Sequence, residues 1–213
     1  FQAINKVENQ LKQNLKAMMN VSSSHDAPRL LTDFYNPNNY KYHANPNENP
    51  AYKTGKPDKE SYARLRLYLI HLFTTVGAPQ IWNGEEMGMW GADDPYGRKP
   101  LMWKEMKFEP ENRNNISKQK PVYDKVSFDQ ATFNFYKKLI QIRKENPVLV
   151  DGETDFLLTE GKKLIYKRYT DTSEIIVVFN LEAKTQTVQL ADGNYVDLIT
   201  GKSINGKNLK VKS

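Results

Sequence analysis

The hydrophobic period of this 213-residue chain changes at Asn146-Pro147, and that change constrains the fold more than any other feature. Before it, apolar residues recur every three or four positions, the spacing of one helix face. Beyond it they alternate, the spacing of a half-buried strand. The alternating runs 154–158, 164–169, 175–181, 185–190 and 195–200 are separated by turn residues, including Asp192-Gly193 and Asn205-Gly206. Short strands at intervals of about 8–12 residues with such turns predict an antiparallel β domain. Two units are therefore expected, 1–147 and 148–213.

The first unit reads as helices, strands and long loops. Phe1, Ile4, Val7, Leu11, Leu15 and Met18 lie on one face of an amphipathic helix that opens without a capping residue, which predicts a chain cut from something longer. Asp58 is placed to cap a second helix through Tyr62, Leu65, Leu69, Leu72, Phe73 and Val76, stopped by Gly77. That helix is apolar nearly all round, so burial on every side is expected, with His71 a core histidine rather than a ligand. Gln80-Ile81-Trp82-Asn83 reads as a short buried strand leading into a Gly-rich, acidic, aromatic loop over 84–103. Ser127 and Gln130 fit a capping box for a third helix through Ala131, Phe135, Leu139 and Ile142. The stretch 33–60, crowded with Asn, Pro and Tyr, reads as loop, and loops of that length are usually functional or disordered. Its tyrosines, Tyr35, Tyr40, Tyr42 and Tyr52, either pack the loop or stack on a ligand.

Composition excludes several function classes. The net charge is +6, but Lys and Arg are scattered rather than gathered into a stripe, so no nucleic-acid partner is expected. No run approaches the roughly 20 apolar residues of a membrane span. With no cysteine there is neither a disulfide framework nor a thiolate metal site, and His25, His43 and His71 form no metal-ligating motif. Ser22, Ser23 and Ser24 lack the Gly-x-Ser-x-Gly elbow of a serine nucleophile. No targeting segment marks a compartment.

Strands alternating with helices present their ligand site at the carboxyl ends of the strands. His25-Asp26 follows one such strand and Glu85-Glu86 the other. Alone, each pair reads equally well as a turn, an ion pair, or neighbours facing opposite ways.

The segments around these pairs carry more information. Val21-Ser22-Ser23-Ser24-His25-Asp26-Ala27-Pro28-Arg29-Leu30-Leu31-Thr32 resembles the last conserved segment of the α-amylase family of glycoside hydrolases, where His-Asp ends barrel strand seven. Gly77-Ala78-Pro79-Gln80-Ile81-Trp82-Asn83-Gly84-Glu85-Glu86-Met87-Gly88-Met89 resembles that family's strand-eight segment. Asp94-Pro95-Tyr96-Gly97-Arg98 is similar to the Asp-Pro loop of its neopullulanase, cyclomaltodextrinase and α-glucosidase branches. The run 133–147 is similar to the final barrel helix, and the β segment follows where the family has a β domain. Three departures stand out: Glu85 where the family commonly has Asp, Tyr96-Gly97 where the neopullulanase-like branch often has Asp-Cys, and Ser24 where many members have Asn.

The resemblance implies an α/β fold: the C-terminal part of a (β/α)8 TIM barrel, about strands seven and eight with flanking helices, followed by a small antiparallel all-β domain. It implies a retaining hydrolase or transglycosidase acting on α-glucosidic bonds of starch-derived maltooligosaccharides, with nucleophile and acid/base on barrel strands outside these residues. Asp26 would be the third, transition-state-stabilising carboxylate, His25 would bind the same sugar, and Asp94 and Arg98 the next one along. The alternative for Asp94 and Arg98 is an intraloop salt bridge. The resemblance implies no cofactor held by this chain, since the family's common calcium sites draw on other segments. Its partners would be an α-glucan oligosaccharide and the other half of the barrel, with self-association of the separated chain as a consequence. The second function class is a noncatalytic carbohydrate-binding or scaffold domain that keeps the fold.

Overall fold

The computed structural model describes residues 6, 15–39, 43–115 and 118–212. The expected helix through Phe1, Ile4, Val7 and Leu11 lies outside the described residues, as do Tyr40 and Tyr42. By spatial contact the chain forms two compact units, one of residues 20–70 and 79–137, the other of 1–19, 71–78 and 138–213.

Two short strands, β1 (Met19–Asn20) and β2 (Ala78–Pro79), precede the two loops that carry the His-Asp and Glu-Glu pairs. Ala78 N donates to Met18 O at 2.9 Å and Gln80 N to Asn20 O at 3.1 Å, so the strands advance in the same direction, as a parallel pair does. The strand expected over Gln80–Asn83 is thus displaced toward the N-terminus, and Ile81 and Trp82 are half-buried. The cause is a change of partner: Ser22 Oγ donates to Gln80 O at 3.3 Å and Ser22 N to Gln80 Oε1 at 3.4 Å, and these side-chain bonds replace the backbone ladder.

Helix α1 (Leu30–Tyr35) buries Leu30, Leu31 and Thr32. Helix α2 (Lys59–Thr74) begins where its sequence predicts, with Asp58 Oδ1 accepting from Ser61 N at 2.9 Å and from Ser61 Oγ at 2.8 Å. Its burial is narrower than expected. Leu65, Leu69, Leu72 and Phe73 are buried, but Lys59, Glu60, Ala63 and Arg66 are exposed, because charged positions give the first turns a polar face.

Strands β3 (Glu111–Asn112) and β4 (Tyr123–Asp124) pair antiparallel. Helix α3 (Gln130–Glu145) is capped by Asp129, whose Oδ1 accepts from Thr132 N at 2.9 Å, rather than by the Ser127–Gln130 box. Phe128 and Phe133, with ring centroids 5.2 Å apart, close a hydrophobic staple across this cap, which sets the cap two residues beyond Ser127. One further helical turn, α4 (Val148–Asp151), buries Val148 and Leu149 before the alternating pattern begins.

The β segment is antiparallel, as expected, and among the described residues adds two strands, over 203–205 and 209–211, to the five runs read from the sequence. Strands β5 (Glu153–Glu160), β6 (Lys163–Tyr169) and β7 (Glu174–Asn180) form an antiparallel sheet in that sequence. Strand β8 (Gln186–Val188) pairs with β11 (Leu209–Val211), and β9 (Asn194–Val196) with β10 (Ser203–Asn205), both antiparallel. Within this unit, two arginines close the C-terminal end of α2. Arg143 Nη1 donates to Phe73 O at 2.8 Å and Nη2 to Gly77 O at 2.6 Å; the fully buried Arg168 donates to Thr74 O at 2.8 Å, Leu149 O at 3.1 Å and Gly152 O at 2.7 Å. A helix leaves its last carbonyls unpaired and carries partial negative charge there, so a guanidinium suits it twice over. His71 packs edge-on against Tyr166 and Phe179, and burial lowers its pKa, as befits a core histidine.

Candidate active site

Beyond Asn20 the chain turns at His25-Asp26 before α1 begins. Asp26 is exposed, and its amide donates to Ser24 Oγ at 3.2 Å. Asp26 Oδ2 lies 3.1 Å from His25 Nε2, and Oδ1 lies 3.4 Å from Arg98 Nη2. Arg98 also pairs through Nε with Asp94. The four residues singled out from the sequence therefore meet in one exposed cluster, a carboxylate held between an imidazole and a guanidinium that grips a second carboxylate. The Asp94–Arg98 ion pair is present, and Arg98 bridges it to Asp26.

Glycines let the loop that supplies Asp94 and Arg98 fold tightly on itself. A Cβ at Gly91 would come within 2.8 Å of Tyr96 O, and one at Gly97 would meet Ala92 O at 3.2 Å and Trp82 Cη2 at 3.6 Å. Gly91 N donates to Thr32 Oγ1 at 2.8 Å, and Arg29 N to Gly91 O at 3.0 Å. Beneath the cluster Arg29 and Glu85 are each 1% exposed. Arg29 Nε donates to Gly97 O at 3.0 Å and Nη1 to Asn83 O at 3.1 Å, with the guanidinium 4.0 Å from the centre of the Trp82 ring. Glu85 Oε1 accepts from Ser23 Oγ at 3.1 Å and Leu30 N at 3.4 Å and lies 3.8 Å from Arg29 Nη1. Its Oε2 is buried with no hydrogen-bond partner among the described residues. Burial pushes the Glu85 carboxyl up to about 7, against the opposing pull of Arg29 and of its hydrogen bonds, and with a further push from Glu86. Glu86 is half-buried and accepts from Gly84 N at 2.9 Å, so the adjacent carboxylates do part ways.

The sequence places Glu85 beyond a strand end, where a ligand site lies, but gives no buried positioning part to it or to Arg29. For Arg29 the signal is its position three residues beyond Asp26, and nothing in the sequence says that its acceptors are carbonyls of a distant loop. Tyr52 packs with Ala44, Ala92 and Tyr96, the packing alternative for that tyrosine, while the half-buried Tyr35 lies under Lys53 Nζ at 4.5 Å. Among the described residues no group of three or more His, Cys, Asp or Glu is placed to hold a metal ion, and no helix is long and apolar enough to cross a membrane.

The family model described as the α-amylase catalytic domain matches residues 1–152, and that of the bacterial α-amylase C-terminal domain matches 157–213. The chain belongs to the α-amylase family. It is 37% identical over 128 residues to a cyclomaltodextrinase of Thermoanaerobacter pseudethanolicus, covering 60% of this chain and 19% of that protein. It is 29% identical over 157 residues to neopullulanase 2 of Thermoactinomyces vulgaris, covering 70% of this chain and 23% of that protein. The chain thus spans about a fifth to a quarter of these relatives. An Anoxybacillus α-amylase crystal structure superposes with a TM-score of 0.68 at 19% identity, over 99% of this chain and 39% of that one, a likeness of fold alone.

Proposed function

We propose that this chain is the C-terminal part of a retaining glycoside hydrolase that cleaves α-glucosidic bonds in starch-derived maltooligosaccharides. In this reading residues 1–147 belong to the catalytic barrel and 148–213 form the β domain, while nucleophile and acid/base come from barrel strands outside these residues. Kinship with a cyclomaltodextrinase and a neopullulanase directs the choice of substrate toward α-glucans.

The observation that carries the proposal is the exposed Asp26 carboxylate, held between His25 and Arg98. Glycosidic cleavage develops positive charge on the sugar ring at the transition state, and a pre-oriented anion gains there what it does not gain in the ground state. Asp26 supplies that anion and accepts from sugar hydroxyls, and His25 hydrogen-bonds the same sugar. Asp94 and Arg98 grip hydroxyls of the neighbouring sugar, a carboxylate accepting and a guanidinium donating in fixed geometry.

The test is Asp26→Asn in the full-length polypeptide, assayed on maltotriose. kcat should fall by about 100-fold or more with the melting temperature unchanged, the scale of one lost pre-organised transition-state contact. Wild-type turnover by the variant removes Asp26 from the mechanism. A wild-type polypeptide that binds maltotriose without cleaving it establishes the noncatalytic carbohydrate-binding alternative instead.

A further inference from the structure

The two buried charged residues beneath the cluster are arranged reciprocally. Glu85 belongs to the loop that goes on to carry Asp94 and Arg98, yet its Oε1 takes Ser23 Oγ and Leu30 N, which flank the turn bearing His25 and Asp26. Arg29 belongs to the flank of that turn, yet it donates to Asn83 O and Gly97 O, which flank the loop bearing Asp94. Each loop is pinched at its base by a side chain from the other.

The cluster above does not hold the two loops in register by itself. Asp26, Asp94 and Arg98 are all about half-exposed or more, and exposed ion pairs are weak and screened by salt. Hydrogen bonds from a buried guanidinium, and to a buried carboxyl, are stronger and more directional, and breaking one leaves its partner unsatisfied away from water. The Trp82 indole over the Arg29 guanidinium further restricts where that side chain sits.

We propose that Glu85 and Arg29 are positioning residues that set Asp26 against Arg98, and so fix the geometry of the sugar-binding face; its link to turnover rests on the glycosidase reading above. A carboxyl that merely fills space would tie down one loop. A clasp built this way ties both, so loosening either residue loosens both loops together.

The experiment measures amide hydrogen exchange by mass spectrometry, alongside steady-state kinetics on maltotriose, in the full-length polypeptide. The variants are Glu85→Ala, Glu85→Gln, Arg29→Lys and Ser23→Ala. Glu85→Ala and Arg29→Lys should each speed exchange about tenfold or more in both 23–30 and 83–97, with peptides from the β5–β7 sheet unchanged. Ser23→Ala, a mild change that keeps the fold, should show the same two-loop pattern at roughly threefold. Glu85→Gln retains an oxygen for Ser23 and Leu30 and should restore most of the protection, together with most of a roughly tenfold loss in kcat/KM seen for Glu85→Ala. Acceleration confined to the mutated loop, or spread evenly over the whole chain, overturns the clasp, as does a Gln variant no better than Ala. If the wild type does not turn over maltotriose the glycosidase reading fails, and the exchange pattern still decides the clasp.

Discussion

Nη2 of Arg98 lies 3.4 Å from Oδ1 of Asp26, across a chain separation of 72 residues. Sequence spacing alone joins Arg98 only to Asp94, its neighbour four residues away. The contact with Asp26 makes Arg98 common to two carboxylates, so its removal changes the setting of both.

Replacing Asp94 or Arg98 by Ala is expected to impair longer maltooligosaccharides more than an aryl α-glucoside. Remote sugar contacts contribute to catalysis only when that sugar is present. Comparison of kcat/KM on the two substrates decides the matter, since equal losses would identify a purely structural ion pair.

The Glu85 carboxyl makes stability depend on pH. Burial raises it from 4.5 to about 7 in the folded state, so the folded protein holds this proton more tightly than the unfolded chain. Its contribution is fully present below about pH 4.5 and is lost as pH rises toward 7, by roughly 3 kcal/mol as an upper bound. Urea melts of Glu85→Gln and wild type between pH 5 and 8 should show this slope in the wild type and lose it in the variant. Parallel curves would mean that Glu85 does not titrate in this range.

Arg168→Met is expected to destabilise the fold by about 3 kcal/mol or more. The apolar side chain fills the volume but leaves the carbonyls of Thr74, Leu149 and Gly152 without their donor. Thermal or denaturant unfolding measures the loss, and a variant within about 0.5 kcal/mol of wild type would mean that the carbonyls find other partners.

The isolated 213-residue chain is expected to lack glycosidase activity and to self-associate. Met18, Met19 and Val21 along β1 are 42%, 61% and 59% exposed, and β1 and β2 pair only with each other among the described residues. Apolar side chains beside an unpaired strand edge invite pairing with another chain. Size-exclusion chromatography with light scattering, run beside a maltotriose assay, tests both statements. A monomer would count against self-association, and hydrolysis would mean that the catalytic groups are within the chain.

Where local chemistry settles the outcome, the sequence was readable. Asp58 caps the helix it was expected to cap, and the period-two pattern beyond Pro147 gives an antiparallel segment. Of the readings that moved, one did so through a local contact and one through a contact distant in the chain. Asp129 rather than Ser127 caps α3 because the Phe128–Phe133 staple sets the helix start, and β2 ends early because the Ser22 side chain takes Gln80. The exposed half of the candidate site, His25, Asp26, Asp94 and Arg98, stands in the sequence as motifs whose roles remain proposals. Its buried half does not, since the acceptors of Arg29 are backbone carbonyls, which every residue has.

The arginines at the end of α2 bear on how such proteins exchange parts. Arg168 lies on a strand of the β segment, yet one of the carbonyls it satisfies belongs to Thr74, the last residue of a helix encoded nearly a hundred positions earlier. A chimera that grafts a foreign β segment after α3 would lose the Arg168 hydrogen bond at that helix end, unless the donor carried a guanidinium at the equivalent place. That position is therefore one at which parents can be compared before any graft is made, beside the Tyr166 and Phe179 contacts of His71.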